Sequence, residues 1–383
     1  MNKREEIQKE ALNEWLSQNS WGTICLGTGF GKTYVGIMAI KEKLEGNEKR
    51  ALIVVPTANL RDNQWVEELV KWGATKYADR IDIECVKTAY KITDRSYALI
   101  VLDEIHLMLS DEYGKVHDIK TESKLGLTGT PPEHNEEYMK RLEELCPVVY
   151  TKTIKEGVEI GILSPYEIIN IPVTFTRKER WLYNKFEAEY NKAAKKILIY
   201  NKNKGINESV FTTAAKYMKD KDCLMHKTAK EYWQYMSMRK WACFKASKKI
   251  LKCVELIKKA PEEKWIIFSK HIKFVEDLAS NKEINAVAYH SKMSDAERER
   301  VLKEFGEGEY KVLVTAEALN QGYNLPSLTN AISASGDSVA LTFRQRLGRI
   351  LRFEENKKAR FYNLFVENTQ EESWVKKRID GST

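Results

Sequence analysis

The chain has 383 residues, 43% of them hydrophobic and 31% charged, with 63 lysines and arginines against 55 acids. That length suits two domains plus an appendage, at roughly 100–200 residues per domain. No apolar run approaches the roughly 20 residues of a membrane span, which excludes a helical membrane protein. The N-terminus, MNKREEIQKEALNEWL, mixes charges of both signs and has no apolar core of a signal peptide, so it reads as the start of a helix. Six scattered cysteines without a C-x-x-C pair fit reduced thiols. A cytoplasmic protein is expected, in the host cytoplasm if phage-encoded. Cys223, His226, Cys243 and Cys253 match no standard zinc spacing.

In chain order, β-rich apolar runs alternate with helical patterns: TICL, TYVGIMAIKEKL, ALIVV, NQWVEELVKW and YALIVLD. Such alternation predicts a parallel sheet with crossover helices. YEIINIPVTFT follows, with Pro172 as an expected bend or linker position, and then a lysine-rich helical stretch. After Pro261 the alternation restarts with KWIIFS, IKFVEDLA, NAVAYH, DAERERVLKEF, YKVLVT, NAISAS and ARFYNLFV. The expected class is therefore α/β, with two tandem parallel-sheet domains, 1–165 and 260–383, and a basic helical insertion at 166–259.

Charge is concentrated in that insertion. Residues 177–258 carry 21 lysines and arginines against 8 acids, while the remainder has 42 against 47. Cations interleaved with aromatic residues such as Trp181, Tyr190, Phe211, Trp233 and Trp241 suit phosphates and stacked bases. Lys195, Lys196, Lys248 and Lys249 are candidate phosphate contacts. Leu182, Phe186, Tyr190, Ala193 and Ile197 recur at helical spacing, so many of the aromatics are expected to pack instead.

Leu26-Gly27-Thr28-Gly29-Phe30-Gly31-Lys32-Thr33 joins a predicted strand to a predicted helix, the setting of a phosphate-binding P-loop. Backbone N–H groups of Gly27 to Gly31 would face the phosphates, Lys32 would reach the β- and γ-phosphates, and Thr33 would offer a hydroxyl to Mg²⁺. Leu26 stands where the P-loop pattern has its first glycine. Downstream, the strand YALIVLD ends on Asp103 and Glu104, followed by Ile105 and His106. Asp103 can hold Mg²⁺ through water, and Glu104 can orient and deprotonate an attacking water. Together the two features point to ATP and Mg²⁺. Near the C-terminus, Gln345, Arg349 and Arg352 are spaced to share one helical face, and Arg344, Arg346, Arg349 and Arg352 meet no acid before Glu354.

The D-E-I-H sequence after this P-loop resembles the DExH box of the superfamily-2 helicases and translocases, and further segments resemble their motifs in order. Pro56-Thr57 and Thr88 are similar to backbone-gripping motifs, Thr128 and Thr130 in LTGTP to the coupling motif, and Ser269, His290 and Thr315 to grips of the second lobe. The resemblance implies RecA-like lobes, arginine fingers at Arg349 and Arg352 with Gln345 placing water or phosphate, adenine recognition by Gln8 with Arg4, and coupling through His106. Asn324 departs from the aspartate common after the glycine of its motif. The chain looks closest to DNA translocases of the XPB, phage UvsW and restriction-subunit type. The implied partner is nucleic acid, DNA favoured over RNA, with no membrane. An RNA helicase and an inactive nucleic-acid-binding scaffold are the rival readings.

Overall fold

The computed structural model describes residues 2–92, 94–133, 135–316, 328–335, 346–348, 350–351, 353–354 and 357–380. Two compact units divide the chain. The first comprises Met1–Glu167, Ala318–Asn330 and Val339–Arg360, and the second Ile168–Glu317, Ala331–Ser338 and Phe361–Thr383. The helices of the basic segment thus fall within the second unit.

In the first unit, β1 (Trp21–Leu26), β2 (Ala51–Val55), β3 (Ile81–Cys85), β4 (Ser96–Asp103), β5 (Lys120–Thr128) and β6 (Val148–Lys152) form one sheet in the order β3-β2-β4-β5-β1-β6. All five pairings are parallel. All five residues of β2 are buried, as are seven of the eight in β4, which explains why both read as unbroken apolar runs. Helices α1 (Lys3–Ser17) and α2 (Lys32–Leu44) pack on this sheet, α1 through Ile7, Ala11 and Trp15. The segments α3 (Trp65–Lys71), α4 (Val86–Ala89), α5 (Glu136–Leu145) and α6 (Ile154–Glu159) complete the helices named here.

The second sheet has the order β7-β12-β11-β8-β10-β9, with β7 (Tyr166–Val173), β8 (Trp265–Ser269), β9 (Ala286–His290), β10 (Val312–Ala316), β11 (Asn330–Ser333) and β12 (Ala359–Val366), again parallel. Pro172 lies inside β7 rather than at a bend. The position is tolerated because β7 is an edge strand, where a residue without an N–H breaks no central ladder.

The basic segment folds into α7 (Arg177–Asn203), α8 (Val210–Lys219), α9 (His226–Phe244) and α10 (Ser247–Lys258). Thr176 and Glu179 start α7 with a reciprocal capping box. Ala193, Ile197, Ala214, Ala229 and Tyr232 form its core, and the Arg239 guanidinium lies 3.6 Å from the Tyr190 ring centre while bonding Glu187 at 2.9 Å. Tyr183, Tyr232 and Phe244 are therefore packing residues, whereas Trp181 and Phe211 stay exposed. Among the described residues no helix is long and apolar enough to cross a membrane.

Lys249 corrects the sequence expectation. It is fully buried, and its ammonium donates to both carboxylate oxygens of Glu371, at 2.9 and 2.8 Å, and to the Ala334 carbonyl at 2.7 Å. Glu371 in turn accepts from the Val366 N–H. This pair ties α10 to β12 and to the chain leaving β11, and no phosphate reaches it. Lys195, Lys196 and Lys248 are exposed. Removing one member of a buried ion pair costs about 3–5 kcal/mol. Lys249→Ala is accordingly expected to lower the unfolding midpoint strongly, and Lys195→Ala to leave it nearly unchanged. Equal thermal midpoints for the two variants would contradict the buried pairing.

Candidate active site

The turn between β1 and α2 carries the P-loop residues. Gly29 and Gly31 have φ of 99° and 85°, in the left-handed region where a side chain is strained, and Gly31 caps α2 with its backbone. The N–H groups at this end of α2 are thus turned toward one place, where the helix adds positive potential. Lys32 donates to the Leu26 carbonyl at 3.3 Å, and a methyl group at Gly129 would lie 2.9 Å from its Nζ. Beneath the turn, Gln8 is buried and its Nε2 donates to the Phe30 carbonyl at 2.6 Å, so α1 braces the loop directly. Arg4 lies on the same helix and reaches the Ile162 carbonyl at 3.4 Å. The Phe30 side chain is buried, and a methyl at Gly157 would lie 2.7 Å from its ring. Phe30 therefore serves the loop through its backbone.

Strand register brings the acids to this loop. Cys25 is level with Thr128, and Asp103 with Leu127, so the carboxyl ends of β1, β5 and β4 lie side by side. Ligands of parallel α/β sheets bind at that edge. Asp103 is buried, and its Oδ2 accepts the Trp65 indole N–H at 3.0 Å. Burial, then the neighbouring Glu104 charge, pushes the Asp103 carboxyl up to about 6, against the lowering effects of Trp65 and Lys32. Glu104 has φ of 54° and ψ of 50°, a conformation that costs a non-glycine residue roughly 1–3 kcal/mol. It places the Glu104 carboxylate 3.4 Å from His106 Nδ1.

His106 is buried, and burial pushes its imidazole below the ordinary range. Its Nδ1 lies 3.0 Å from Thr128 Oγ1, which also accepts the Thr130 N–H and donates to the Thr130 carbonyl, both at 3.1 Å. With that hydroxyl proton committed and Glu104 also close by, Nδ1 carries the ring proton. His106 Nε2 is then a buried acceptor without a partner among the described residues. Thr128, Thr130 and His106 thus form one network.

Other expected residues stand elsewhere. Pro56 and Thr57 follow β2 and are half-buried, while Thr88 is exposed and donates to Glu84 at 2.9 Å. Ser269 and His290 end the strands β8 and β9, and Thr315 is the penultimate residue of β10 between them, but all three are buried, and Thr315 Oγ1 has no partner among the described residues. Gln345, Arg349 and Arg352 lie outside the described residues. From the same segment, Gly348 packs against Thr28 of the P-loop. Arg346 is buried and partnered, contrary to the reading of it as an unpaired arginine. Trp65, which bonds Asp103, is the site neighbour that sequence reasoning missed. Its signal was a tryptophan whose N–H, once buried, requires an acceptor.

A hydroxyl at Thr33 and carboxylates at Asp103 and Glu104 are the hard oxygen donors that Mg²⁺ takes, and the raised Asp103 proton affinity marks a carboxylate that a cation would stabilise. A glycine-turn phosphate cradle beside a strand-end acidic pair, in a chain with two parallel sheets, defines a motor ATPase of the helicase type. The chain is similar to superfamily-2 helicases of the XPB and restriction-subunit types. Residues 2–133 match the model of the type III restriction enzyme res subunit, and 248–354 that of the helicase conserved C-terminal domain. The chain is 26% identical over 382 residues to the DNA 3'-5' translocase XPB2 of Sulfurisphaera tokodaii, covering 95% of this chain and 82% of that protein. It spans 61% and 57% of the DNA 3'-5' helicases XPB of Kineococcus radiotolerans and Mycobacterium tuberculosis, at 22% identity to each. Its fold is similar to the Pyrococcus furiosus Hef helicase domain, with a TM-score of 0.52 and 16% identity over 97% of this chain and 96% of that one. It is also similar to the DNA-bound Type ISP restriction-modification enzyme LlaBIII, with a TM-score of 0.64 and 13% identity over 98% of this chain and 29% of that one. Tandem RecA-like domains are thereby established.

A second buried histidine of this unit gives a pH signature. His117 bonds the Met108 carbonyl, and burial, then the Lys124 charge, pushes it from 6.5 down to about 4. The unfolded chain takes up this proton near pH 6.5 and the folded chain only near pH 4. Its contribution to stability is thus complete above the higher value and lost as pH falls toward the lower one. His117→Gln is expected to flatten the fall in unfolding midpoint across that window, and a parallel pH profile would contradict the assignment.

Proposed function

We propose that the chain is an ATP-driven DNA helicase or translocase moving 3' to 5'. The observation that carries this reading is the side-by-side placement of the P-loop, Asp103 with Glu104, and Thr128 at one sheet edge. The names of its XPB relatives support the choice of DNA and of polarity.

In this reading the backbone of Gly27 to Gly31 and the Lys32 ammonium hold the phosphates, while Arg4 and Gln8 recognise the adenine. Thr33 and Asp103 would hold Mg²⁺, which would supply positive charge to the bound phosphates. Glu104 receives the proton of the attacking water, and its left-handed backbone fixes the carboxylate beside His106. Arg349 and Arg352 stabilise the charge developing on the transferred phosphoryl group, and Gln345 helps to place water or phosphate. His106, Thr128 and Thr130 pass the state of the γ-phosphate to the strand-gripping residues Pro56, Thr57, Thr88, Ser269, His290 and Thr315. For the buried Ser269 and Thr315, the grip is through backbone at the strand ends.

The test is displacement of streptavidin from biotinylated single-stranded oligonucleotides. ATP-driven release from 5'-biotin, absent in Lys32→Ala, is expected. Release from 3'-biotin alone would contradict the polarity, and release from neither would contradict the motor. The exposed basic face of α7 and α10 contributes phosphate contacts. Lys195→Glu, Lys196→Glu and Lys248→Glu combined should lower the slope of log K against log salt by about 2–3, at about 0.7–0.9 per contact. An unchanged slope would return these lysines to a purely solvated role.

A further inference from the structure

Asp103 meets a partner that none of the ATPase motifs supplies. Trp65 is fully buried, and its indole N–H donates to Asp103 Oδ2 at 3.0 Å across 38 residues of sequence. The same ring lies against the P-loop helix α2, where a methyl group at Gly36 would come within 2.8 Å of Trp65 Cη2. Trp65 is also the first residue of α3, reached from Pro56 and Thr57 through a π-helical turn at Leu60–Gln64. Wide turns of this kind are rare and concentrate at functional sites. One side chain therefore touches the P-loop helix and the acidic strand, and it is joined by seven residues of backbone to Pro56 and Thr57.

We propose that Trp65 is a positioning residue: its indole N–H orients the Asp103 carboxylate toward the metal and carries nucleic-acid occupancy of the Pro56–Thr57 segment to that carboxylate. The inference rests on the reading of Asp103 as a metal-holding group. The indole hydrogen bond to Oδ2 opposes rotation of the carboxylate and leaves Oδ1 and the second lone pair of Oδ2 for a metal-bound water. A shift of the segment before α3 moves the indole and, with it, the acid. Partners that orient metal-holding groups typically matter 10- to 100-fold in metal affinity.

The test uses the whole chain with a fluorescent ADP analogue and reads the Mg²⁺ concentration that half-saturates its binding, with and without oligo(dT). Trp65→Phe is expected to raise that concentration roughly tenfold and to abolish any shift caused by oligo(dT). Adding Trp65→Phe to Asp103→Asn should raise it no further. Replacement of Trp65 by benzothienylalanine, which keeps the ring's shape and lacks the N–H, should reproduce Trp65→Phe and serves if that variant does not fold. A wild-type Mg²⁺ requirement in these variants, whatever their unfolding midpoint, would make Trp65 a packing residue and overturn the inference alone. A wild-type requirement in Asp103→Asn would overturn both the inference and the metal reading beneath it.

Discussion

The molecule depends on the parallel register of three strands in its first sheet. Because β4, β5 and β1 run side by side in one direction, the loops that leave them emerge at a single edge. Chemistry separated by some seventy residues of sequence, Lys32 on one side and Asp103 on the other, meets there without further design. A one-residue slip of β4 would turn its side chains to the opposite face, burying Glu104 and removing Asp103 from the site. The unbroken burial of β2 and β4 makes such a slip costly.

Around that edge the structure holds groups in states that water alone would not favour. Asp103 is buried with a raised proton affinity, Glu104 occupies a left-handed conformation, and burial disfavours the charged form of His106, whose Nε2 has no partner among the described residues. Side chains from other elements support the site. Gln8 supports the loop, Trp65 holds the acid, and Thr128 fixes the histidine tautomer. The second unit uses the same device at its own strand ends. There the Lys249–Glu371 pair anchors the Ala334 carbonyl, beyond β11, while Ser269, His290 and Thr315 stand at or next to the ends of three adjacent strands.

Much of this was legible in the sequence, for a chemical reason. Phosphate and metal binding demand glycines, a lysine and strand-end acids at fixed spacing, so Gly29, Gly31, Lys32, Asp103 and Glu104 announced themselves. Strongly apolar strands such as β2 and β4 did so too. β3 and β5 did not, because IDIEC is half-buried throughout and KTESKLGLT begins with polar residues. Pro172 masqueraded as a break because edge position is a property of the sheet, not of the residue. Lys249 looked like one more solvated lysine, since a buried partner 122 residues away leaves no local trace. Trp65 was hidden for the same reason: its acceptor is set by tertiary register. The motor chemistry is local, and the interactions that orient it are long-range.

Steady-state ATP turnover by the purified chain, alone and with single-stranded DNA, duplex DNA or single-stranded RNA, tests the central claim most directly. The account predicts Mg²⁺-dependent hydrolysis that is slow alone and markedly accelerated by DNA. Hydrolysis accelerated only by RNA, or no hydrolysis with any nucleic acid, would contradict it.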